Sequence, residues 1–442
     1  MKTQLTTLVT TATLAASTFA CGPYEITKPI SVAVAPDQGA VVTGSTTEVV
    51  LKIQVNGHEI ASKKNRLPLN IAVVLDRSGS MSGTKLEQAK QAASHLVRQL
   101  GAADRFSLVT YDTEVNILIP PAPVLEPAPL LTRISGIQTG GSTALYAGVA
   151  EGAAQLKTFL SAERVNRVIL LSDGIANVGP SSPAEISALG RSLASSGIPV
   201  TTVGLGADYQ EDVLSSLAEA SDANYYYVAD IEKLPEVFGK EFDELQSIVA
   251  RDVKIQINCG EGVTPIGFAG RDAGTSTVTF GSLSANQQRD IYFRCKVAAN
   301  QSIDLQDIAT ISTTYTGIDG VAANASTPAR LEIVATSKEA ESRQNAGVRA
   351  DYEILTSNFG KREAIAAADA GQHKEAKSQL SSLRRKLVAL LPSAPAGQQI
   401  AIQEEVTALD ESLSDFDKNS GRLSKTNRKA LQSQEWKLRN AK

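Results

Sequence analysis

The sequence has few of the residues that supply catalytic and redox sites. Its 442 residues include three cysteines, three histidines and one tryptophan, and aromatic residues make up 5%. The three imidazoles, His58, His95 and His373, fall in a β-rich flank, an amphipathic helix pattern and a helical tail, so none is expected beside a serine nucleophile. This scarcity of imidazole bases predicts a protein that is not an enzyme.

A basic surplus is also absent, because the formal net charge is −4. General nucleic-acid binding requires a basic footprint, so no nucleic-acid partner is expected. After the first two dozen residues, no apolar run approaches the roughly 20 residues needed to span a bilayer. The chain also has no phosphate-loop pattern of Gly, four residues and Gly-Lys-Ser/Thr, which argues against an ATPase.

The first 20 residues read as a targeting segment. Lys2 precedes a stretch rich in Thr, Ala and Leu, and small residues come before Cys21. This pattern predicts a secretory signal peptide over residues 1–20. Cys21 resembles the lipidated cysteine of a bacterial lipoprotein, although Thr18 stands where such signals usually have leucine. We expect an exported protein that is lipid-anchored to a membrane of the cell envelope, with a soluble periplasmic or secreted protein as the alternative.

Two further cysteines, Cys259 and Cys295, lie on strand-like segments. In an exported protein they could form a disulfide and leave Cys21 free for a lipid. Two buried thiols are the alternative, because sequence does not fix the Cα separation that a bridge needs.

The flanks of the chain differ from its middle. Residues 21–69 and 251–336 alternate polar and apolar residues and have Gly-rich turns, as half-buried strands do. We expect one β-sandwich built from both flanks, with a separate later sandwich and a loose amino-terminal arm as the alternative. Residues 337–442 change to helical periodicity, with Leu380, Leu383 and Leu387 on one face, and predict a helical region.

Residues 70–250 alternate strand and helix patterns, which predicts an α/β doubly wound, mostly parallel sheet with helices on both faces. The proline-rich run from Pro120 to Pro129 is expected to be a surface loop. Asp112 and Glu114 follow a strand end, and carboxylates beside an edge strand typically lie in solvent.

Three oxygen-rich loops stand out in this middle region. Asp76 ends a buried strand, and Ser78 and Ser80 follow it at alternate positions. Thr143 ends a Gly-Gly-Ser-Thr run, and Asp173 follows the apolar strand pattern 168–171. Loops at the carboxyl ends of neighbouring parallel strands meet at the switch point of such a sheet. Carboxylates and hydroxyls that meet there suit a hard cation.

These residues resemble the metal-ion-dependent adhesion site of von Willebrand factor type A domains, and the chain resembles exported bacterial lipoproteins with such a domain. The resemblance implies a Rossmann-like fold and a Mg²⁺ ion, or Mn²⁺ or Ca²⁺, held by the set Asp76, Ser78, Ser80, Thr143 and Asp173. Ser142 is the other candidate for the threonine position. The resemblance also implies a protein partner that offers an acidic residue to the ion.

The function expected from the sequence is therefore divalent-cation-dependent protein binding, in adhesion or assembly. A structural scaffold of the cell envelope is one alternative. A metal-assisted hydrolase is a weaker one, since it requires a general base that the sequence does not identify.

Overall fold

The computed structural model describes residues 28–59, 66–206, 209–270, 274–300 and 304–419, and then 422–424, 427, 428 and 431. The expected signal peptide and Cys21 lie outside the described residues. Within the described part of the chain, no helix combines the length and the apolar character that a membrane crossing requires.

Three strands come first in the described part of the chain, and the two longer ones have the alternating burial of a strand with one face in a core. The three strands are β1 (Ile30–Pro36), β2 (Ala40–Val42) and β3 (Thr46–Gly57). β1 pairs antiparallel with β3. Two paired strands do not form a stable unit by themselves, and these strands complete sheets whose other members come much later in the chain.

The middle of the chain is an α/β domain, which confirms the fold class expected from the sequence. Its strands and helices are β4 (Leu69–Asp76), α1 (Thr84–Gln99), β5 (Arg105–Tyr111), β6 (Val115–Pro123), α2 (Pro127–Ser135), α3 (Leu145–Lys157), β7 (Val165–Ser172), α4 (Pro183–Ser195), β8 (Val200–Leu205), α5 (Glu211–Ala220), β9 (Tyr225–Val228) and α6 (Leu234–Gln246). The sheet order is β6-β5-β4-β7-β8-β9, and β6 is its one antiparallel strand.

Strand β4 lies at the centre of this sheet and is buried along its whole length. Ile71, Val73 and Leu75 face the core that contains α1 and α6. Ala72 and Val74 face the opposite core, which contains α3. A strand covered on both faces has no polar alternation, and this explains its continuous apolar run.

The run from Pro120 to Pro129 is more ordered than expected. β6 continues to Pro123, and Pro127 occupies the first turn of α2, where its missing N–H and fixed φ are tolerated. Proline therefore starts a helix here, and the expectation of a simple loop was wrong.

The later strands complete a β-sandwich. They are β10 (Ile248–Cys259), β11 (Val263–Phe268), β12 (Thr277–Ser284), β13 (Gln288–Ala298), β14 (Leu305–Gly317) and β15 (Ala322–Val334). One sheet has the order β1-β3-β13-β11 and the other β12-β10-β14-β15-β2. The α/β domain is inserted between β3 and β10, so both sheets contain strands from before and after it.

Cys259 lies at the end of β10 in one sheet, and Cys295 lies on β13 in the other. Both are free thiols, so the structure does not form the disulfide that the sequence left open. Cys295 is buried, and its thiol lies 3.8 Å from the carbonyl oxygen of Val49 on the neighbouring strand.

The helical region contains α7 (Ser337–Ser342), α8 (Ala346–Asp369), α9 (His373–Leu390) and α10 (Ala396–Lys418). It packs on the sandwich through polar contacts such as Lys52 Nζ to Asp351 Oδ2 at 2.7 Å. Arg428 connects the same region to the α/β domain, since it pairs with Asp369 at 2.6 Å and with Asp212 of α5 at 2.9 Å.

Candidate metal site

Asp76 ends β4, and its carboxylate is fully buried. Its Oδ1 accepts a hydrogen bond from the backbone N–H of Ser78 at 2.8 Å. Its Oδ2 accepts from Ser172 Oγ of β7 at 2.8 Å and from the hydroxyl of Tyr111 on β5 at 3.3 Å. Donors from the following loop and from both neighbouring strands therefore fix this carboxylate at the carboxyl end of the sheet.

Burial raises the pKa of Asp76, and hydrogen bonds from Ser78 and Ser172 only partly oppose that effect. The charge of Asp173 raises the pKa of Asp76 further. Asp173 is also fully buried. Two carboxylates that repel each other in a buried place favour a cation between or beside them.

Two serine hydroxyls connect the loops that carry these carboxylates. Ser80 Oγ donates to Asp173 Oδ1 at 2.6 Å, and Ser78 Oγ lies 3.1 Å from Ser80 Oγ. A short 3-10 helix, Gly79–Met81, holds the two serines, and its buried Met81 anchors the turn in the core. The spacing of Asp76, Ser78 and Ser80 therefore places three side-chain oxygen groups on one side of this loop.

Thr143 comes from a third loop and reaches the same place. A Cβ built on Gly174 would lie 3.2 Å from Thr143 Oγ1 and 3.3 Å from Ser80 Oγ. Thr143 is 3% exposed, and its backbone N–H donates to Asn177 Oδ1 at 2.8 Å. Ser142 is exposed, so the structure brings Thr143 and not Ser142 to the cluster.

A lysine that the sequence interpretation did not single out also enters this cluster. The Lys85 ammonium group pairs with Asp173 Oδ2, and it lies 3.4 Å from the carbonyl oxygen of Ser80. The side chain of Lys85 is 24% exposed, whereas that of Asp173 is fully buried. The oxygen cluster thus already attracts one cation that belongs to the chain itself.

Asp112 was expected to lie in solvent, and this expectation was wrong. It is 5% exposed, and its Oδ2 pairs with Arg77 Nη2 at 2.8 Å and accepts from the backbone N–H of Gly141 at 3.3 Å. A Cβ on Gly140 would lie 1.7 Å from this oxygen, so only glycine allows the loop to approach so closely. Asp112 therefore braces the loop that carries Thr143 against the loop that carries Ser78.

The donor set fits a hard divalent cation. It contains two carboxylates and three hydroxyls, and all its donors are oxygens, as Mg²⁺, Mn²⁺ and Ca²⁺ prefer. In the described ranges, no three or more His, Cys, Asp and Glu residues are grouped so that they could hold a metal. The candidate set has two carboxylates and takes its other oxygens from hydroxyls. His58 bonds Ser31 and His95 bonds Gln99, each away from the cluster.

Comparison with known proteins gives the same picture of the fold. Residues 70–240 match the family model of the von Willebrand factor type A domain. An uncharacterized protein of Escherichia coli, YfbK, is 29% identical over 198 residues, which is 44% of this chain and 34% of YfbK. An uncharacterized protein of Synechocystis, sll0103, is 27% identical over 212 residues, which is 48% of this chain and 49% of that protein. The chain thus aligns with half or less of the length of these relatives.

The similarity in structure extends beyond the α/β domain. The solved von Willebrand factor type A protein from Catenulispora acidiphila superimposes with a TM-score of 0.68 at 14% sequence identity. The match covers 92% of this chain and 96% of that one, so the flanking parts share its fold as well.

Proposed function

We propose, from the premise that residues 70–240 are a von Willebrand factor type A domain, that this chain captures a protein partner through a divalent cation. Domains of this family often mediate protein–protein interactions. The proposal assigns the chain to adhesion or assembly and not to catalysis. It does not require a general base.

The observation that carries the proposal is the contact between Ser80 Oγ and Asp173 Oδ1 at 2.6 Å. It joins oxygens from two loops that are 93 residues apart in the sequence. The ion would be held by these groups together with Asp76, Ser78 and Thr143. When bound, it supplies an electron-poor coordination position that an acidic side chain of the partner can fill.

The chain's own residues have separate tasks in this capture. Ser78, Ser80 and Thr143 offer neutral oxygens, which leave most of the positive charge of the ion uncompensated. Asp76 and Asp173 supply the negative charge that attracts the ion, and their burial keeps water from screening it. Asp112 and Arg77 hold the loops together, so the oxygens keep their places before an ion arrives.

The proposed location follows from residues 1–20 and Cys21. A cleaved signal peptide and a lipid on Cys21 would hold the domain outside the cytoplasm, on a membrane of the cell envelope. Mass spectrometry of the mature amino terminus tests this part. A diacylglyceryl-modified Cys21 supports it, whereas an unmodified terminus supports a soluble exported protein.

Calorimetric titration with Mg²⁺ and Mn²⁺ tests the metal site. One site is expected in the wild-type chain and none in Asp76→Asn, which keeps the shape of the side chain. Asp307→Asn, an exposed change on β14, is the matched control and should bind like the wild type. Equal binding by Asp76→Asn would contradict the assignment.

Capture from extracts of the source cells, with and without a chelator, tests the use of the site. We expect a partner that is lost with EDTA, regained with Mg²⁺ and absent with Asp76→Asn. Capture that neither EDTA nor the substitution reduces would instead support a scaffold whose metal site takes no part in binding.

A further inference from the structure

A cavity of about 640 Å³ lies between the α/β domain and the β-sandwich. Its walls include Val165 at the start of β7 and Pro199 just before β8. The cavity therefore lies at the amino-terminal ends of these strands, opposite the metal site at their carboxyl ends. Phe280 lines it from the sandwich side and Leu160 from the α/β side. Ile248, the first residue of β10, packs in the α/β core and lines the cavity where the two domains join. We call it the interdomain cavity.

The cavity walls combine apolar side chains with a surplus of cations. Its charged lining residues are the cations Arg164, Arg167, Arg251 and Lys254 and the anions Asp222 and Asp252. The partners of Asp222 lie outside this set of cations. Its carboxylate accepts a hydrogen bond from the backbone N–H of Gly281 and lies 3.6 Å from the guanidinium group of Arg289. The lining therefore has positive charge to offer a ligand.

Arg167 is the buried member of this set. It is 5% exposed, and its Nε lies 3.7 Å from Glu241 Oε1, too far for a hydrogen bond. Among the described residues, neither its Nε nor its Nη1 has a hydrogen-bond partner. Glu241 is occupied by other donors, which include Thr201 Oγ1 at 2.5 Å and Asn224 Nδ2 at 2.7 Å. These two donors of Arg167 thus have an anion nearby but no hydrogen bond, and unsatisfied buried donors are costly.

Arg251 reaches the same cavity from the sandwich. Its Nε is also buried and has no hydrogen-bond partner in the part of the chain that the structure describes. The pairing of β10 with β14 shifts register between Arg251 and Lys254, and Asp252 within this bulge has a φ of 52°. In a regular strand, residues three apart face opposite sides, so the bulge is what lets both cations line one cavity.

We propose that the interdomain cavity binds a small organic anion, with an apolar body and one carboxylate or phosphate group. Arginine N–H groups form paired hydrogen bonds with such oxygens. An apolar body suits the walls formed by Leu160, Ile248 and Phe280, and the volume falls within the usual range for small-molecule sites. The ligand would touch β7 and β10 at once and would stabilise the arrangement of the two domains. This site is independent of the proposed metal site.

Titration of the full chain with phenyl phosphate tests the proposal, with calorimetry and thermal unfolding as readouts. Saturable binding and a rise in Tm are expected. Inorganic phosphate should bind more weakly, and benzyl alcohol should not bind detectably. Benzoate distinguishes the ligand types, since stronger binding of either benzoate or phenyl phosphate identifies the group that the cavity prefers. Inorganic phosphate that binds as tightly as phenyl phosphate would overturn the apolar part of the proposal.

Arg251→Gln and Lys254→Gln are the informative variants, because both residues are at least partly exposed and their replacement leaves no buried charge unpaired. Each should weaken phenyl phosphate binding by about tenfold, the usual effect of losing a hydrogen bond to a charged group. Arg330→Gln, on the exposed part of β15, is the matched control. Absence of saturable binding, or a Kd that Arg251→Gln leaves unchanged, would overturn the proposal. Mg²⁺ titration of the same variants reports independently on their folding.

Discussion

The ammonium group of Lys85 is ion-paired with the carboxylate of Asp173, so helix α1 contributes a cation to the loop that follows β7. The same carboxylate accepts the hydroxyl of Ser80 on its other oxygen. Lys85 therefore neutralises part of the negative charge that would attract a divalent ion. It also holds Asp173 in place, and the net effect on metal binding depends on which role dominates.

We expect the charge to dominate. Two unit charges about 4 Å apart interact by roughly 1 to 4 kcal/mol across the range from water to a partly screened protein site. Lys85→Met keeps most of the length of the side chain and removes the charge, and it should tighten Mg²⁺ binding by about tenfold. Calorimetric titration measures this directly. Lys90→Met, further along α1 and paired with Glu87, is the control. Weaker binding by Lys85→Met would mean that positioning of Asp173 matters more.

The choice between Thr143 and Ser142 gives a second prediction. Thr143 is buried beside Ser80, whereas Ser142 is exposed. Thr143→Ala should weaken Mg²⁺ binding by at least about 10- to 100-fold. Loss of a residue that only hydrogen-bonds to a metal ligand already lowers metal affinity by about that factor. Ser142→Ala should bind like the wild type. The reverse order of effects in the same titration would mean that Ser142, and not Thr143, is the metal ligand.

Much of this site follows from local patterns. A buried strand that ends in aspartate has a recognisable sequence, and the alternate spacing of Asp76, Ser78 and Ser80 places their oxygens together. Parallel strand order then brings Asp173 to the same end of the sheet, whereas Thr143 lies in the loop between α2 and α3. The placement of Asp76 and Asp173 depends on periodicity and on the handed connections of an α/β sheet, whereas the choice of Thr143 rests on the resemblance to the von Willebrand factor type A site.

The contacts of Lys85 and Asp112 could not be predicted in this way. Each depends on how a loop folds over a side chain that is distant in sequence. Asp112 is buried because Gly140 lets the neighbouring loop approach it, and no pattern around Asp112 indicates that approach. The interdomain cavity likewise depends on a bulge in β10 and on the packing of two domains, neither of which has a periodic signal.

Asp104 provides a prediction about pH. It is fully buried between the starts of β4 and β5. Burial raises its pKa, but hydrogen bonds from Arg66 and from the backbone N–H groups of Leu69 and Gly101 outweigh that effect and lower the pKa below its usual value. A lowered folded-state pKa contributes stability above the unfolded-state pKa, and this contribution is lost as the pH falls through the folded-state value.

Asp104→Asn should therefore lower the free energy of unfolding by about 2 kcal/mol at pH 7. The difference from the wild type should shrink as the pH falls below about 4. Urea unfolding midpoints measured from pH 7 to pH 3 test both statements. Asp307→Asn, which removes an exposed ion pair with Arg330, should change the midpoint little at any pH. A gap between Asp104→Asn and the wild type that stays constant or grows in acid would contradict the assignment.

Helix α3 packs so closely on β4 that the addition of a single methyl group should measurably change the free energy of unfolding. A Cβ on Gly152 would lie 2.3 Å from Val74 Cγ2. Replacing glycine by alanine inside a helix usually stabilises by about 1 kcal/mol, but overpacking costs about 1 to 3 kcal/mol. We expect Gly152→Ala to lower stability. Because Val74 lies two residues before Asp76, displacement of β4 should also weaken Mg²⁺ binding.

The same change in a Val74→Ala background should be neutral or stabilising, because the smaller side chain leaves room for the new methyl group. A double-mutant cycle from urea unfolding measures this coupling. Gly397→Ala in α10, where a Cβ would meet no atom within 4 Å, is the control and should raise stability. If Gly152→Ala destabilised the chain equally in both backgrounds, the contact with Val74 would not be the cause.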